Sequence, residues 1–172
     1  MRVVGNYQPS SHLRSREEDE GVEVVRLFPR RGGRAPVMVL MSDFKARYQL
    51  FRVVANWARR GEIDIIDAPD YLGPVALWPR LRVPVIVRLH GLATLFAKLL
   101  KEQPQRSVYH FERMGLRRAD FICADSQYIL QATSELFPLA ANPPQSYILC
   151  RLCRRCSHRT SAADGAWFTP IR

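Results

Sequence analysis

The sequence contains few lysines and no long apolar run. Only three of its 26 basic side chains are lysines, Lys45, Lys98 and Lys101, and the other 23 are arginines. No stretch reaches the roughly 18 apolar residues that a membrane-spanning helix needs. The chain turns polar at Gly5-Asn6, so it shows no apolar core of a signal peptide. We therefore expect a cytoplasmic protein, with docking on the inner face of a membrane as an open alternative.

Two sequence motifs of well-known enzyme classes are also missing. The sequence has no glycine-rich phosphate loop of the Walker or Rossmann type. It has no glycine-flanked serine of the kind that forms a nucleophile elbow. These absences argue against a nucleotide-hydrolysing P-loop protein, a dinucleotide-dependent dehydrogenase and a serine hydrolase of the α/β type.

The composition is otherwise typical of a folded protein of modest size. The 172 residues suffice for one domain with a hydrophobic core, but not comfortably for two. The net charge of +10 favours anionic partners such as phosphates or an anionic membrane surface. An equally open interpretation is that most of the arginines are simply solvated. Because the charge is spread along the chain rather than packed into one stripe, we expect no nucleic-acid partner.

Strand and helix patterns alternate from Gly61 to Phe137. Short, continuous apolar runs at residues 63–67, 84–89 and 120–124 are typical of strands covered on both faces. Helical patterns separate them, which predicts the α/β class, with a Rossmann-like parallel sheet flanked by helices. Ser42 or Asp43 is predicted to cap an earlier helix, and Asp125-Ser126 to cap the helix that reaches about Phe137.

The same patterns divide the chain into three parts. Residues 1–20 are predicted to be a flexible N-terminal segment, and residues 21–144 to form a single domain. Residues 145–172 are predicted to be an irregular tail rich in arginine and cysteine. Within the domain, the apolar residues 37–41 are interpreted as a strand or as a loop packed into the core.

Polar residues follow three of the predicted strands. They are Asp67 to Asp70, His90-Gly91 and Asp125-Ser126. Because ligands of parallel α/β sheets bind beyond the carboxyl ends of the strands, we expect these residues to converge on one cleft. His90 is the first candidate, since a histidine there could hydrogen-bond a sugar hydroxyl or a phosphate, or transfer a proton. The plainer alternative is a histidine that only caps its strand.

Three other features have both a functional and a plain interpretation. Asp67 and Asp70 could form the carboxylate pair of a glycosidase, although nothing in their spacing sets their separation. Arg113 could reach an anionic ligand, or Glu112-Arg113 could belong to a solvated helix face with one weak surface ion pair. The helix from Leu92 to Lys101 is predicted to be core, with docking at a bilayer interface as the second interpretation.

The cysteines Cys150, Cys153 and Cys156 are spaced as C-x-x-C-x-x-C in the tail. Such spacing is known from zinc and iron–sulfur sites. Here the ligands would crowd one short basic segment, whereas a structural zinc site usually takes a second ligand pair from elsewhere in the fold. We therefore expect no metal and no cofactor, and keep a metal- or polyanion-binding tail as an alternative function.

Four segments in order resemble the N-terminal domain of family 4 glycosyltransferases. Residues 63–73 (IDIIDAPDYLG) resemble the family's DIIEAPDYxG segment, and residues 84–91 (PVIVRLHG) resemble its PxVVRLHG strand and loop. Phe111-Glu112-Arg113 with residues 117–120 (RRAD) resembles its ER...RRAD helix end, and residues 121–126 (FICADS) resemble its xIxAxS strand. Each segment alone is weak evidence, but their order over about 75 residues is specific.

The resemblance implies a retaining enzyme of GT-B architecture, in which two Rossmann-like domains face each other across a cleft. It implies that His90 is catalytic and lies near the transferred hexose, and that Gly91 and the Asp70 loop line the acceptor side. Arg113 and Ser126 are expected to contribute to substrate binding in the same cleft. The acceptor is expected to be a glycan or a lipid-linked molecule, and no metal is implied.

The sequence departs from the family pattern after Pro144. There the family continues into a second domain that binds the UDP-, GDP- or ADP-sugar, whereas this sequence enters its Arg/Cys-rich tail. We therefore expect the chain to bind a sugar nucleotide only together with a donor domain, and to be inactive alone. A non-catalytic module that binds an acceptor or a partner chain is the alternative.

Overall fold

The computed structural model describes residues 1–7, 15–28 and 36–137, together with the backbone of residues 147–149. Nearly all of the predicted tail, including Cys150, Cys153 and Cys156, lies outside the described residues. Within the described parts, no helix is long and apolar enough to cross a membrane.

The N-terminal part of the chain forms a small three-stranded sheet. Its strands are β1 (Arg2–Asn6), β2 (Arg16–Asp19) and β3 (Val22–Leu27). The order is β1-β3-β2, with β1 parallel and β2 antiparallel to β3. The described part of residues 1–20, predicted from the sequence to be a flexible segment, contains β1 and β2. The strand β2 has almost no apolar residues, and it is held by its ladder to β3 and by the ion pair of Glu17 with Arg26.

A second, parallel sheet forms the centre of the domain. Its strands are β4 (Ile66–Pro69), β5 (Val85–Leu89), β6 (Phe121–Ala124) and β7 (Tyr147–Leu149), in that order. Every neighbouring pair is parallel, which confirms the predicted α/β class with a Rossmann-like sheet. The strand β7 lies in the range predicted to be an irregular tail, so that prediction was wrong at residues 147–149.

The described residues contain four helices beside the two sheets. They are α1 (Pro36–Arg59), α2 (Ala93–Leu99), α3 (Arg106–Arg118) and α4 (Gln127–Leu136). The buried faces of β5 and β6 meet α1, α3 and α4 in one core that includes Val54, Val87, Leu116 and Ile122. This core fixes the ends of the central strands, where the polar residues of the predicted cleft lie.

The start of α1 differs from the sequence interpretation. Residues 37–41, expected to be a strand or a core loop, are the first turns of this helix. All five side chains are exposed, from 38% at Val39 to 71% at Val37. The apolar run is therefore neither a strand nor core, and the helix begins well before the predicted cap at Ser42 or Asp43. An apolar run alone does not separate a buried strand from an exposed helix turn.

Candidate functional site

The carboxyl ends of β4, β5 and β6 bring the predicted site residues to one edge of the sheet. Asp70 follows β4, His90-Gly91 follows β5, and Asp125-Ser126 follows β6. The three strands are neighbours and run parallel, so the loops that follow them leave the sheet side by side. The convergence expected from the sequence is therefore present in the structure.

Asp70 joins the first two loops. Its side chain is only 2% exposed, and its two carboxylate oxygens accept hydrogen bonds from the backbone N–H of His90 (3.2 Å) and of Gly91 (3.1 Å). Burial raises the pKa of this carboxyl above its ordinary value, and the two backbone donors partly offset that rise. Asp70 thus holds the His90-Gly91 turn in place, and its own oxygens face the turn rather than open solvent.

His90 joins the second loop to the third. Its Nδ1 lies 2.5 Å from Oδ2 of Asp125, and its side chain is 54% exposed. A histidine that donates its Nδ1 proton to a carboxylate keeps a fixed ring orientation and presents Nε2 on the other side. Because more than half of the side chain is exposed, the ring can still reach a ligand hydroxyl or phosphate beyond the strand ends. The sequence identified His90, but it did not reveal the role of Asp125 as its partner.

Gly91 permits the turn that aims His90. Its φ of +142° is one that side-chain-bearing residues rarely adopt, and an added Cβ would lie 2.7 Å from Cζ of Phe96. The Gly91 Cα therefore lies against the ring of Phe96, which is partly exposed. A larger residue at this position would push that ring aside and strain the backbone of the turn.

Arg47 and Glu112 clamp the loop of residues 71–73. The Arg47 side chain donates from Nε to the carbonyl oxygen of Gly73 (3.1 Å) and from Nη2 to that of Leu72. Its guanidinium lies 3.8 Å over the ring of Phe111. Burial lowers the pKa of Arg47, which is satisfied largely by backbone oxygens. Residues on α1 and α3 thereby determine where the loop of residues 71–73 lies.

Glu112 is buried, and the interpretation of Glu112-Arg113 as part of a solvated helix face was wrong for this residue. The side chain is 1% exposed, and its carboxylate accepts from the backbone N–H of Leu72 (3.2 Å), Ala93 (2.7 Å) and Thr94 (3.1 Å). Two of these donors form the start of α2, which has no side-chain cap from its own N-cap residue. A sequence signal was available, because Glu112 shares a helix face with the buried Gly115 and Leu116.

Asp67 has a different environment from Asp70. Its carboxylate pairs with Arg88 on the neighbouring strand, with Oδ2 at 2.5 Å from Nη2, and it is exposed. The hydrogen bond to Asp67 raises the pKa of Arg88. One carboxylate is thus neutralised at the surface and the other is buried against backbone N–H groups. This arrangement does not supply the paired acid and base of a glycosidase.

Ser126 and Arg113 are placed less directly for a ligand. The Ser126 hydroxyl accepts from the backbone N–H of Ile129 (3.2 Å), so Ser126 is the N-cap of α4, as predicted. It remains exposed next to Asp125. Arg113 is half-buried on α3, and no hydrogen bond or ion pair joins it to the other candidates within the described ranges. Hydrogen bonds thus join Asp70 to His90 and Gly91, Ser126 stands next to the partner of His90, and Arg113 shows no such contact within the described residues.

The helix α2 is only partly core. Leu92 and Leu95 are buried, while Phe96, Leu99 and Leu100 are exposed by 47%, 55% and 69%. Its apolar residues thus lie on both sides of the helix, with Lys98 and Lys101 exposed beside them. Burial of one side agrees with the core interpretation, and the other side is left at the edge of the cleft.

Comparison with known proteins gave one result. A family model described as a glycosyl transferase 4-like domain matches residues 2–144. Searches of curated proteins and of solved structures returned no match. The match covers both sheets as far as β6 and all four helices, and it includes every candidate residue of the site. Among the residues that the structure describes, no group of three or more His, Cys, Asp or Glu side chains could hold a metal ion.

Proposed function

This chain belongs to the glycosyl transferase 4-like family, and on that premise we propose that it is the acceptor-side domain of a retaining glycosyltransferase of the GT-B type. The proposed reaction moves a hexose from a sugar nucleotide to a hydroxyl of a glycan or lipid-linked acceptor. The bond between the sugar C1 and the leaving diphosphate breaks, and the acceptor oxygen bonds to C1. The hydroxyl proton leaves with the diphosphate, so atoms and charge balance.

The observation that supports this proposal is the exposed His90 at the meeting point of three strand ends. Its Nδ1 is engaged by Asp125, and its backbone N–H is held by Asp70. Both contacts fix the ring without using Nε2. We assign to Nε2 a hydrogen bond to a sugar hydroxyl at the reacting centre, where the transferred hexose and the end of the acceptor meet, and to the loop of residues 71–73 a further contact with the acceptor. A fixed donor or acceptor at the reacting centre acts through positioning and preorganised electrostatics.

The leaving diphosphate must meet positive groups during transfer. In this proposal those groups belong to a donor-binding domain that faces the edge carrying His90, either in the same polypeptide or in another chain. A thermal melt of residues 1–172 with UDP-, GDP- and ADP-sugars tests this point. We expect a cooperative melt that none of these ligands shifts. A rise in Tm with one sugar nucleotide would show a donor site within these residues and overturn the two-domain requirement.

The role of the His90 edge is tested by binding to an array of oligosaccharides. We expect the wild-type chain to bind one or a few glycans, and His90→Ala to weaken that binding by about tenfold, the usual effect of losing one good polar contact. His110→Ala is the matched control, because His110 is an exposed histidine on α3. Equal binding by the wild type and His90→Ala, or no glycan bound by the wild type, would overturn the proposal.

A second function is favoured by the exposed apolar start of α1. Val37, Met38 and Met41 are each more than half exposed, and apolar surface of this kind is typical of a docking site. A non-catalytic module that binds an acceptor or a partner chain would use it. That function predicts glycan binding that is unaffected by His90→Ala, so the same array separates the two candidates.

A further inference from the structure

A wide groove runs beside the second half of α1, apart from the strand-end cleft. Its volume is about 1230 Å³, and its walls come from β3, α1 and the segment before β5. None of Asp70, His90 and Ser126 lines it. The strand-end site therefore does not account for this groove, and a separate ligand must be considered for it.

The lining of this groove is strongly cationic. It contains six arginines and no aspartate or glutamate among the described residues, and the arginines are Arg16, Arg26, Arg52, Arg59, Arg80 and Arg82. Arg26 pairs with Glu17, and Arg16 pairs with Glu23. In the described part of the chain no salt bridge engages the other four, and all four are exposed. Four like charges around one concavity repel one another, and an anionic ligand would relieve that repulsion.

Arginine and aromatic groups together define the kind of anion that fits. The planar guanidinium binds a carboxylate or a phosphate through two parallel hydrogen bonds. Between the arginines the groove presents the exposed ring of Tyr48 and the amides of Gln49 and Asn56. The ring can stack on the C–H face of a sugar, the amides can hydrogen-bond its hydroxyls, and the guanidinium groups can bind its acidic substituents. The lining of the groove is therefore suited to an acidic glycan.

The groove and the proposed acceptor side share the helix α1. Tyr48 lines the groove, and the side chain of the preceding residue, Arg47, holds Leu72 and Gly73 of the 71–73 loop. Arg82, also in the lining, lies three residues before the start of β5, whereas His90 follows the end of that strand. A ligand that contacts both the groove and His90 must therefore be extended, as a chain of several sugars is.

We infer that this groove binds an acidic glycan, one that bears carboxylate or phosphate groups, and that it anchors the body of the acceptor while its end reaches His90. The inference rests on the proposed function for its link to transfer. A lipid surface fits less well, because a concave groove touches a flat bilayer only at its rims. A single-stranded nucleic acid fits less well, because such strands bind on several exposed aromatic rings and Tyr48 is the exposed one here.

Binding of defined probes to the full chain tests the inference. The probes are oligogalacturonate, a phosphomannan oligosaccharide and a neutral maltooligosaccharide, with single-stranded oligonucleotide and phosphatidylglycerol vesicles as competing classes. The variants are Arg80→Gln/Arg82→Gln and Arg52→Gln/Arg59→Gln. The control is Arg106→Gln/Arg117→Gln, which removes two exposed arginines of α3 that do not line the groove. All three variants carry the same net charge.

We expect one of the two acidic glycans to bind, which also identifies carboxylate or phosphate as the recognised group. Each groove variant should weaken that binding by about tenfold or more, and the control by less than about twofold. Binding should also weaken as salt is raised. Equal binding of the neutral glycan, equal losses in the control, or binding of only the oligonucleotide or the vesicles would overturn the inference.

The two proposals fail separately in these experiments. If the groove variants lose acidic-glycan binding while His90→Ala has no effect on glycan binding, the groove is still supported as a glycan site. The proposed function of the His90 edge is then contradicted. If only neutral glycans bind on the array and their binding depends on His90, the proposed function is still supported. The inference that the groove binds an acidic glycan is then contradicted.

Discussion

Gly73 shows how one missing side chain sets the position of the loop of residues 71–73. Its φ is +55°, and an added Cβ would lie 2.2 Å from the carbonyl oxygen of Phe111 on α3. Gly115, one turn further along the same helix, also lies against this loop, since its own added Cβ would lie 3.3 Å from the Gly73 Cα. Two glycines thus allow the loop backbone to rest directly on α3, where Glu112 can reach the N–H of Leu72.

We expect Gly73→Ala to destabilise the protein far more than Gly61→Ala. Gly61 has a similar φ of +65° but nothing within 4 Å of an added Cβ, so its cost is conformational strain of about 1 kcal/mol. Gly73→Ala adds a collision with backbone, for a total of about 3 kcal/mol or more. Urea unfolding of both variants measures the difference. Equal losses of unfolding free energy in the two variants would contradict the prediction, because they would mean that the 71–73 loop can move away from α3 at no cost.

Asp70 should give the protein a recognisable dependence on pH. Its pKa in the folded state is raised above the ordinary 3.8 by burial. The folded state therefore holds this proton more tightly than the unfolded state does. The stability from the protonated group is complete below 3.8 and is lost as pH rises through the folded pKa.

The comparison of wild type with Asp70→Asn isolates this effect, because the asparagine does not titrate. The free energy of unfolding of the wild type, minus that of Asp70→Asn, should fall as pH is raised from about 3.5 to about 7. Urea unfolding at intervals across that range measures it. A difference that rises with pH would mean that the two backbone donors outweigh burial at this carboxylate.

At the scale of elements, α2 depends on α3 for its N-terminal cap. Leu92, the N-cap residue, offers no side-chain oxygen, and the carboxylate of Glu112 takes that role for Ala93 and Thr94. The same carboxylate binds the 71–73 loop through Leu72. One buried side chain of α3 therefore connects the helix after the His90-Gly91 turn to the loop after β4.

Glu112→Gln tests that connection without changing the size of the side chain. The amide accepts through one oxygen only and carries no charge, so we expect a loss of about 1–3 kcal/mol in unfolding free energy. Amide hydrogen exchange in α2, for example at Phe96 and Leu100, should speed up more than exchange in α4. Glu135→Gln on the exposed side of α4 is the control. Unchanged exchange in α2 would contradict the capping role.

The whole molecule has two surfaces that composition alone does not locate. Six arginines line the groove beside α1, and apolar side chains are exposed at the start of the same helix. The helix has no acidic residue in its first turn, although the N-terminal end of a helix favours negative charge. The apolar start of α1 is therefore retained at some cost in helix stability, as expected for a docking surface.

Replacing two apolar residues of that surface by acidic ones should reduce its hydrophobic binding without destabilising the fold. We expect Val37→Glu/Met38→Glu to reduce the binding of an apolar dye and any self-association in gel filtration. The Tm should stay level or rise slightly, because acidic side chains in the first turn stabilise a helix by about 0.3–1 kcal/mol each. Ile65→Glu, a single exposed apolar residue before β4, is the control. A marked drop in Tm would indicate that residues 37 and 38 are packed in solution.

Local patterns in the sequence were enough for the α/β class, the convergence of the strand ends and the cap at Ser126. Each depends on neighbours along the chain: apolar runs form strands, helices between them force the strands parallel, and parallel strands end at one edge. The family followed from the same segments, in the same order. His90 was found because it stands between an apolar strand and a glycine.

Only the tertiary structure decided what packs against each charged or apolar side chain. It buried Glu112 and Asp70 against backbone N–H groups, paired Asp125 with His90, and left residues 37–41 exposed on a helix. It also gathered arginines from three distant segments into one groove. The physical reason is that burial and charge pairing are set by residues far apart in the chain, and no local pattern carries that information.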